Sequence, residues 1–177
     1  VLDTIGFPLV VRPANQGSSI GVSIVHNKAE LNAAIDAAFF IERIEASTWT
    51  GLGQDGKVDY LRILTDIRTG VGFPLQLKHN RTVLYHPEAL LEALDTYFDT
   101  GAKRIELHAF NAECTVVLES FIKGREFSCV VIRGEAYEAI ALPPTEILKG
   151  NEVFDYRSKY LAGLSRKLTP IDLPEIG

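Results

Sequence analysis

The chain has 177 residues, 46% of them apolar, enough to bury the core of one ordinary domain or two small lobes. Its formal net charge of -5 and pI near 5.4 argue against a general nucleic-acid surface, while leaving room for a local basic pocket that holds phosphate. No apolar run approaches bilayer-spanning length and the N-terminus lacks the basic-then-apolar order of a signal peptide, so a soluble protein with no membrane partner is expected. Two cysteines, Cys114 and Cys129, are too few for a disulfide framework or a zinc site, and buried free thiols in a reducing cytoplasm are the expectation. The histidines His26, His79, His86 and His108 lack metal-ligand spacing, so no metal site is assigned. The chain opens at Val1 and contains no methionine, which fits a piece of a longer protein.

In chain order, Phe7 to Arg12 is a short run rich in β-branched residues and reads as a strand. The polar, glycine-containing stretch from Pro13 to Gly21 reads as an irregular loop, and Val22 to Val25 as the returning strand. Asn27 with Glu30 three positions on forms a capping signal for a helix whose Leu31, Ala34, Ile35, Ala38 and Phe39 fall on one face. Gly51, Gly53 and Gly56 among polar neighbours predict a mobile loop from Thr48 to Lys57. Pro87 suits a first helical turn, and Leu90, Leu91, Leu94, Tyr97 and Phe98 repeat behind it at helical spacing. Thr115 to Glu119 and Phe127 to Ile132 read as strands, and Arg133-Gly134 turns the second into Ala136 to Leu142.

An internal echo runs through this order. Gly6-Phe7-Pro8-Leu9 recurs as Gly72-Phe73-Pro74-Leu75, which sets Lys78 at the place of Arg12. Leu31, Asp36 and Phe39 then correspond to Leu90, Asp95 and Phe98, and the second copy lacks the glycine-serine loop. Coincidence competes with duplication at this match length. A strand followed by a helix over 72–98 is the outcome that favours duplication.

Three clusters carry chemistry. Gly17-Ser18-Ser19-Ile20-Gly21 combines glycines that admit a close ligand with amide donors and two hydroxyls, which suits an anion; a tight turn between strands needs the same residues. Arg12 beside it needs a counter-charge, either a nucleotide phosphate or a carboxylate. In Val116 to Glu126, Glu119 and Glu126 bracket a turn and suit hydrogen bonds from an adenine amino group and ribose hydroxyls; solvated turn residues are the plainer account. Phe154-Asp155-Tyr156-Arg157-Ser158-Lys159-Tyr160 offers a cation and a phenol for phosphate or carboxylate, or else is an aromatic surface loop.

Taken in order, the stretches Val10-Val11-Arg12-Pro13-Ala14-Asn15-Gln16-Gly17-Ser18-Ser19-Ile20-Gly21, Val117-Leu118-Glu119-Ser120-Phe121-Ile122-Lys123-Gly124-Arg125-Glu126 and Phe154 to Tyr160 resemble the D-alanine-D-alanine ligases. The tail from Leu168 to Pro174 fits the same pattern. The resemblance implies an α+β chain of ATP-grasp fold, containing the nucleotide-binding lobe and part of the second lobe. Residues 1–142 would form the nucleotide-binding region, with an enlarged middle block at about 41–114, and residues 143–177 would open the second lobe. The implied reaction phosphorylates one D-alanine on its carboxylate before a second D-alanine attacks, forming a dipeptide for peptidoglycan synthesis. Its implied small molecules are ATP and D-alanine, with magnesium, and homodimerisation of the full-length protein belongs to the same expectation.

By position, Arg12 would contact the ATP phosphates and Gly17, Ser18, Ser19 and Gly21 would cover them. Glu119, the backbone of Ser120, Phe121 and Ile122, and Glu126 would hold adenosine. Ser18 and Tyr160 would orient substrate, with Lys159 near the phosphates, so that Ser18, Lys159 and Tyr160 are the catalytic candidates. Three departures stand out. Arg12 replaces the family's usual lysine; the middle block is longer than the family's connection; and the chain is expected to stop at Gly177 ahead of the Arg-x-Asp and Glu-x-Asn segments that would supply the magnesium ligands and a substrate arginine. The 177-residue chain alone is therefore expected not to catalyse. The competing functional classes are a nucleotide-binding module without turnover and a carboxylate-amine ligase of other substrate.

Overall fold

The computed structural model describes residues 2–110, 112–149 and 165–172. The chain divides into two units, Val1–Phe121 and Ile122–Gly177. In the first, a short helix α1 (Leu2–Ile5) leads to strand β1 (Leu9–Pro13), whose residues alternate between buried Leu9, Val11 and Pro13 and half-buried Val10 and Arg12. That period of two gives the strand an apolar face and an outer face. β1 lies between β2 (Ser23–Val25) and β7 (Val116–Ser120), antiparallel to both, with Leu9 opposite Val25 on one side and Ser120 on the other.

The apolar face is covered by α2 (Lys28–Ala38), which buries Leu31, Ala34 and Ala38 against Leu9, Val11 and Val25. The helix starts where the sequence signal predicts. The Asn27 side chain accepts from the amides of Ala29 and Glu30, and Glu30 reaches back to accept from the His26 amide at 2.9 Å. Two orphan amides of the first turn are thereby satisfied, and the residue before the cap is tied to the helix, which fixes its start.

A second sheet follows in the order β3 (Ile41–Glu45), β6 (Arg104–Ala109), β4 (Leu75–Leu77), β5 (Val83–Leu84), every neighbouring pair antiparallel. Helices α3 (Ala46–Gly51), α4 (Gln54–Thr65) and α5 (Pro87–Asp99) belong to the same block. Its core joins Ile44, Leu75, Leu77, Ile105 and Leu107 from the strands to Trp49, Leu61, Leu64, Leu90, Leu94 and Phe98 from the helices.

The stretch expected to be a mobile loop, Thr48 to Lys57, is instead the end of α3 and the start of α4. The glycines misled because burial outweighs local propensity. Trp49 is 1% exposed and anchors α3, while Gly53 caps α4 and Gly56 packs within it against Leu52.

The echo has a structural counterpart. β4 is flanked by β5 and β6 as β1 is by β2 and β7, with Leu75 opposite Leu84 and Ala109 where Leu9 is opposite Val25 and Ser120. The Pro74 carbonyl accepts from the Phe110 amide at 2.8 Å, and the Pro8 carbonyl from the Phe121 amide at 3.3 Å. Helix α5 follows β5 as α2 follows β2, and Leu90 is buried in the place of Leu31. The two copies are not separate. β3, the strand that leaves α2, pairs with β6 of the second sheet and not with β1.

In the second unit, β8 (Phe127–Ser128), β11 (Thr145–Lys149) and β12 (Ser165–Leu168) make one antiparallel sheet with β11 in the centre. β9 (Val131–Arg133) and β10 (Ala139–Ala141) make the expected hairpin, closed by Gly134 donating to the Glu138 carbonyl at 2.8 Å. The strand foreseen from Phe127 to Ile132 is broken at Cys129 and Val130, where the Cys129 thiol donates to the Leu142 carbonyl. Cys129 and Cys114 are both exposed, contrary to the expected burial, because each falls outside the strands that pack a core. Among the described residues no helix is long and apolar enough to cross a membrane. Helices lying against antiparallel sheets make the fold α+β.

Candidate functional site

Arg12 stands on the outer face of β1, opposite Val117 of β7, and Glu119 of β7 is opposite Val10. Cross-strand neighbours share a face, so strand alternation brings Arg12 and Glu119 together on the side away from α2. The Arg12 Nε donates to Glu119 Oε1 at 2.9 Å, with the two side chains 40% and 46% exposed. Of the two counter-charges the sequence left open for Arg12, the fold supplies the carboxylate. At this exposure the pair contributes only about 0–1 kcal/mol, so it can rearrange for a ligand at small cost.

The loop between β1 and β2 is tied down by a residue the sequence reading passed over. Glu113 accepts from the Asn15 amide and from Asn15 Nδ2, each at 3.0 Å, and the Ala14 amide donates to the Thr115 carbonyl. Within the loop the Ile20 amide donates to the Gly17 carbonyl at 3.1 Å and the Val22 amide to the Ser19 carbonyl at 3.4 Å. Two of its amides are thus engaged internally. Ser18 and Ser19 have φ of 56° and 59° and Gly21 of 72°, a left-handed run that turns the chain sharply. A β-carbon at Gly21 would lie 2.8 Å from Pro13 Cγ and 3.2 Å from the Phe40 ring, so only glycine fits there.

Of the adenosine candidates, Glu119 and Ser120 end β7, the Phe121 amide is engaged by the Pro8 carbonyl, and Ile122 is 87% exposed. Glu126 immediately precedes β8, and its carbonyl accepts from the Ile147 amide at 2.8 Å. Between them Arg125, given no role by sequence, forks onto buried Glu146 with two contacts of 2.6 Å and also donates to the Asp172 carbonyl. Arg125 holds the Glu146 carboxyl below its ordinary range. The fork was not legible because Glu146 lies on a different strand. Lys159 and Tyr160, with the rest of the 154–160 cluster, lie outside the described residues.

On the second sheet, Lys78 at the place of Arg12 pairs with Glu106, whose carboxylate also takes Arg43 Nε at 2.9 Å and His108 Nε2 at 2.6 Å. Arg43 reaches on to Asp36 of α2. The hydrogen bond from Lys78, followed by that from His108, holds the Glu106 carboxyl down to about 2, with that from Arg43 adding to them and burial opposing. No glycine-serine loop adjoins this cluster, so its charges are spent on one another. Elsewhere in the block, a cleft of about 550 Å³ between the β4–β5 hairpin and α5 is lined by Leu77, His79, Leu84, Ala93 and Tyr97, and contains none of the candidate site residues.

The family described as D-ala D-ala ligase C-terminus matches residues 1–45 and 102–176, leaving out the stretch that carries α3, α4, β4, β5 and α5. A D-alanine–D-alanine ligase of Leptospira interrogans is 33% identical over 129 residues, 67% of this chain and 34% of that protein. One from Christiangramia forsetii is 33% identical over 132 residues, 75% of this chain and 37% of that protein. One from Halothermothrix orenii is 25% identical over 171 residues, 97% of this chain and 29% of that protein. The chain spans about a third of the length of the curated relatives it matches, as the 34% and 29% coverage of two of them shows.

Proposed function

This chain belongs to the D-ala D-ala ligase C-terminus family, and we propose that it is the ATP-binding portion of an ATP-dependent ligase that joins two D-alanines for peptidoglycan synthesis. The observation that carries the reading is the family match on both sides of an insertion, over the segments bearing Arg12, the glycine-serine loop and Glu119. In this reading the chain has an ATP-grasp fold. Residues 1–142 serve the nucleotide and residues 143–177 open the second lobe. The sheet order β2-β1-β7, which sets Arg12 and Glu119 on one face, supports it.

The work required of the site is to hold a polyphosphate and stabilise charge on the transferring phosphoryl group. Arg12 supplies permanent positive charge, and Gly17, Ser18, Ser19 and Gly21 supply a close-approaching backbone and two hydroxyls over the phosphates. Glu119, the Ser120, Phe121 and Ile122 backbone, and Glu126 are assigned to adenosine, and Ser18, Lys159 and Tyr160 to the substrate and phosphoryl group. Among the described residues no group of three His, Cys, Asp or Glu side chains converges on a metal position.

The test is turnover by the full-length protein. ADP release that depends on D-alanine, with D-alanyl-D-alanine as product, is the expected result. ADP release supported only by another amino acid would assign the protein to a different carboxylate-amine ligation, and nucleotide binding without release would assign it to a binding role.

A further inference from the structure

The glycine-serine loop stands between two hydrophobic cores. The strands on either side of it, β1 and β2, bury Leu9, Val11 and Val25 with α2 in the first core. Ile20, in the loop itself, is half-buried and packs instead against the core of the second sheet. Phe40, at the junction of α2 and β3, belongs to that second core and is 3% exposed. Its ring lies so close to Gly21 that a β-carbon there would be 3.2 Å away. Trp49, Leu61, Leu75, Leu90 and Phe98 of the same core fall in the stretch that the family match leaves out.

Phe40 is held firmly. Its φ of 54° is left-handed, a conformation that an aromatic residue keeps only when its surroundings fix it there. Its carbonyl accepts from the Ala109 amide of β6 at 3.0 Å, and its amide donates to the Ala37 carbonyl at 3.1 Å. Arg43 clamps the same junction, reaching Asp36 of α2 and Glu106 of β6. From this we infer that the inserted block braces the glycine-serine loop, with Ile20 and Phe40 as the positioning residues that carry the contact. The inference rests on the nucleotide-binding reading of the loop. A ligand that meets a loose loop must order it on binding, and that ordering is subtracted from its affinity. A loop already seated on a packed core presents its backbone to the triphosphate without that loss. The effect is confined to the phosphates, since Ile20 and Phe40 act on residues 17–21 and not on the strand ends assigned to adenosine.

The experiment measures equilibrium binding of ATP and of adenosine, with magnesium present, to the full-length protein and to Ile20→Ala, Ile20→Val and Phe40→Leu. The two ligands differ only in the triphosphate, so the ratio of their affinities isolates the loop from the base. The expected wild-type result is tighter binding of ATP. Ile20→Ala and Phe40→Leu are each expected to weaken ATP binding at least fivefold and adenosine binding less than twofold. Ile20→Val keeps most of the contact and should recover most of the ATP affinity; a protein carrying it that is as weak as Ile20→Ala counts against the inference. Amide hydrogen exchange without nucleotide gives a second reading. The Val22 amide, bonded to the Ser19 carbonyl inside the loop, should exchange faster in Ile20→Ala, and unchanged exchange there also counts against the inference. Ile20 is only half-buried, so Ile20→Ala should stay folded at the assay temperature, which a thermal melt checks. Parallel losses of ATP and adenosine, or unaltered ATP affinity in both Ile20→Ala and Phe40→Leu, would overturn the inference while leaving nucleotide binding intact. A wild-type protein that binds neither ligand, or ATP no more tightly than adenosine, would remove the phosphate role of the loop and this inference with it.

Discussion

The indole N–H of Trp49 donates to Asp95 Oδ1 at 2.8 Å, and Lys57 Nζ lies 2.5 Å from the same oxygen and 5.0 Å from the centre of the indole ring. This joint links α3, α4 and α5 inside the stretch that the family match leaves out. Asp95 stands in the second copy where Asp36 stands in the first, yet Asp36 pairs with Arg43. The same helix position has therefore acquired a different task, which is to close the core of the insertion. Truncating Trp49 to alanine removes a side chain that is 1% exposed and leaves Asp95 short of a donor. The expected cost is about 3–5 kcal/mol, read as a lower urea midpoint. Trp49→Phe should cost less, because the ring volume largely remains. A loss under about 1 kcal/mol for the alanine variant would mean that the insertion does not fold around this residue.

Glu106 makes stability depend on pH. Its carboxyl is held near 2 in the folded chain, chiefly by Lys78, against an ordinary value of 4.5. A depressed folded value means that the group's contribution is complete above 4.5 and is lost as pH falls toward 2. Asp95, lowered mainly by its hydrogen bond from Lys57, and Asp66, lowered mainly by Arg68, act in the same direction. The thermal midpoint should therefore fall through this acid window. Glu106→Gln should begin lower at neutral pH and fall less steeply, and an unchanged slope would remove Glu106 from the acid response.

Gly21 is held in a left-handed conformation between Pro13 and Phe40. An alanine there meets two penalties, backbone strain and a close contact with a proline ring that has no freedom to move away. Gly21→Ala should cost about 1–3 kcal/mol and should weaken ATP binding by disturbing the loop. Calorimetric melting together with nucleotide titration checks both, and a neutral substitution would show that the loop takes another conformation.

Arg12 and Lys78 occupy equivalent strand positions but differ in what adjoins them. Arg12→Ala should weaken ATP use by about tenfold, the loss of roughly 1.4 kcal/mol from one charged hydrogen bond. Lys78→Ala should leave ATP kinetics near wild type and instead lower stability at neutral pH and flatten its fall in acid, since Lys78 is committed to Glu106. Steady-state assays with ATP varied at saturating D-alanine distinguish them. A large Lys78 defect beside a silent Arg12 would reverse the assignment.

Much of this chain was readable without coordinates. The β-branched run from Phe7 to Arg12 marks β1, Asn27 and Pro87 mark the helix starts, and the recurrence of Gly-Phe-Pro-Leu marks the second strand–helix copy. Each of these is a local signal, since capping and periodicity involve residues within a turn or two of one another.

Partnership was decided only in three dimensions. Arg12 and Glu119 are 107 residues apart, and no spacing rule joins them; antiparallel pairing of β1 with β7 does. The pairing of β3 with β6, which interlocks the two copies, likewise depends on which strand edge the first sheet leaves open. Glycines at 51, 53 and 56 signalled a loop because sequence shows the conformational cost of each residue and not the compensating burial of Trp49. The chain's local chemistry determines which face of each element is apolar, whereas the choice among apolar faces and strand edges that compete for one another is a property of the whole packed structure, where long-range burial outweighs local preference.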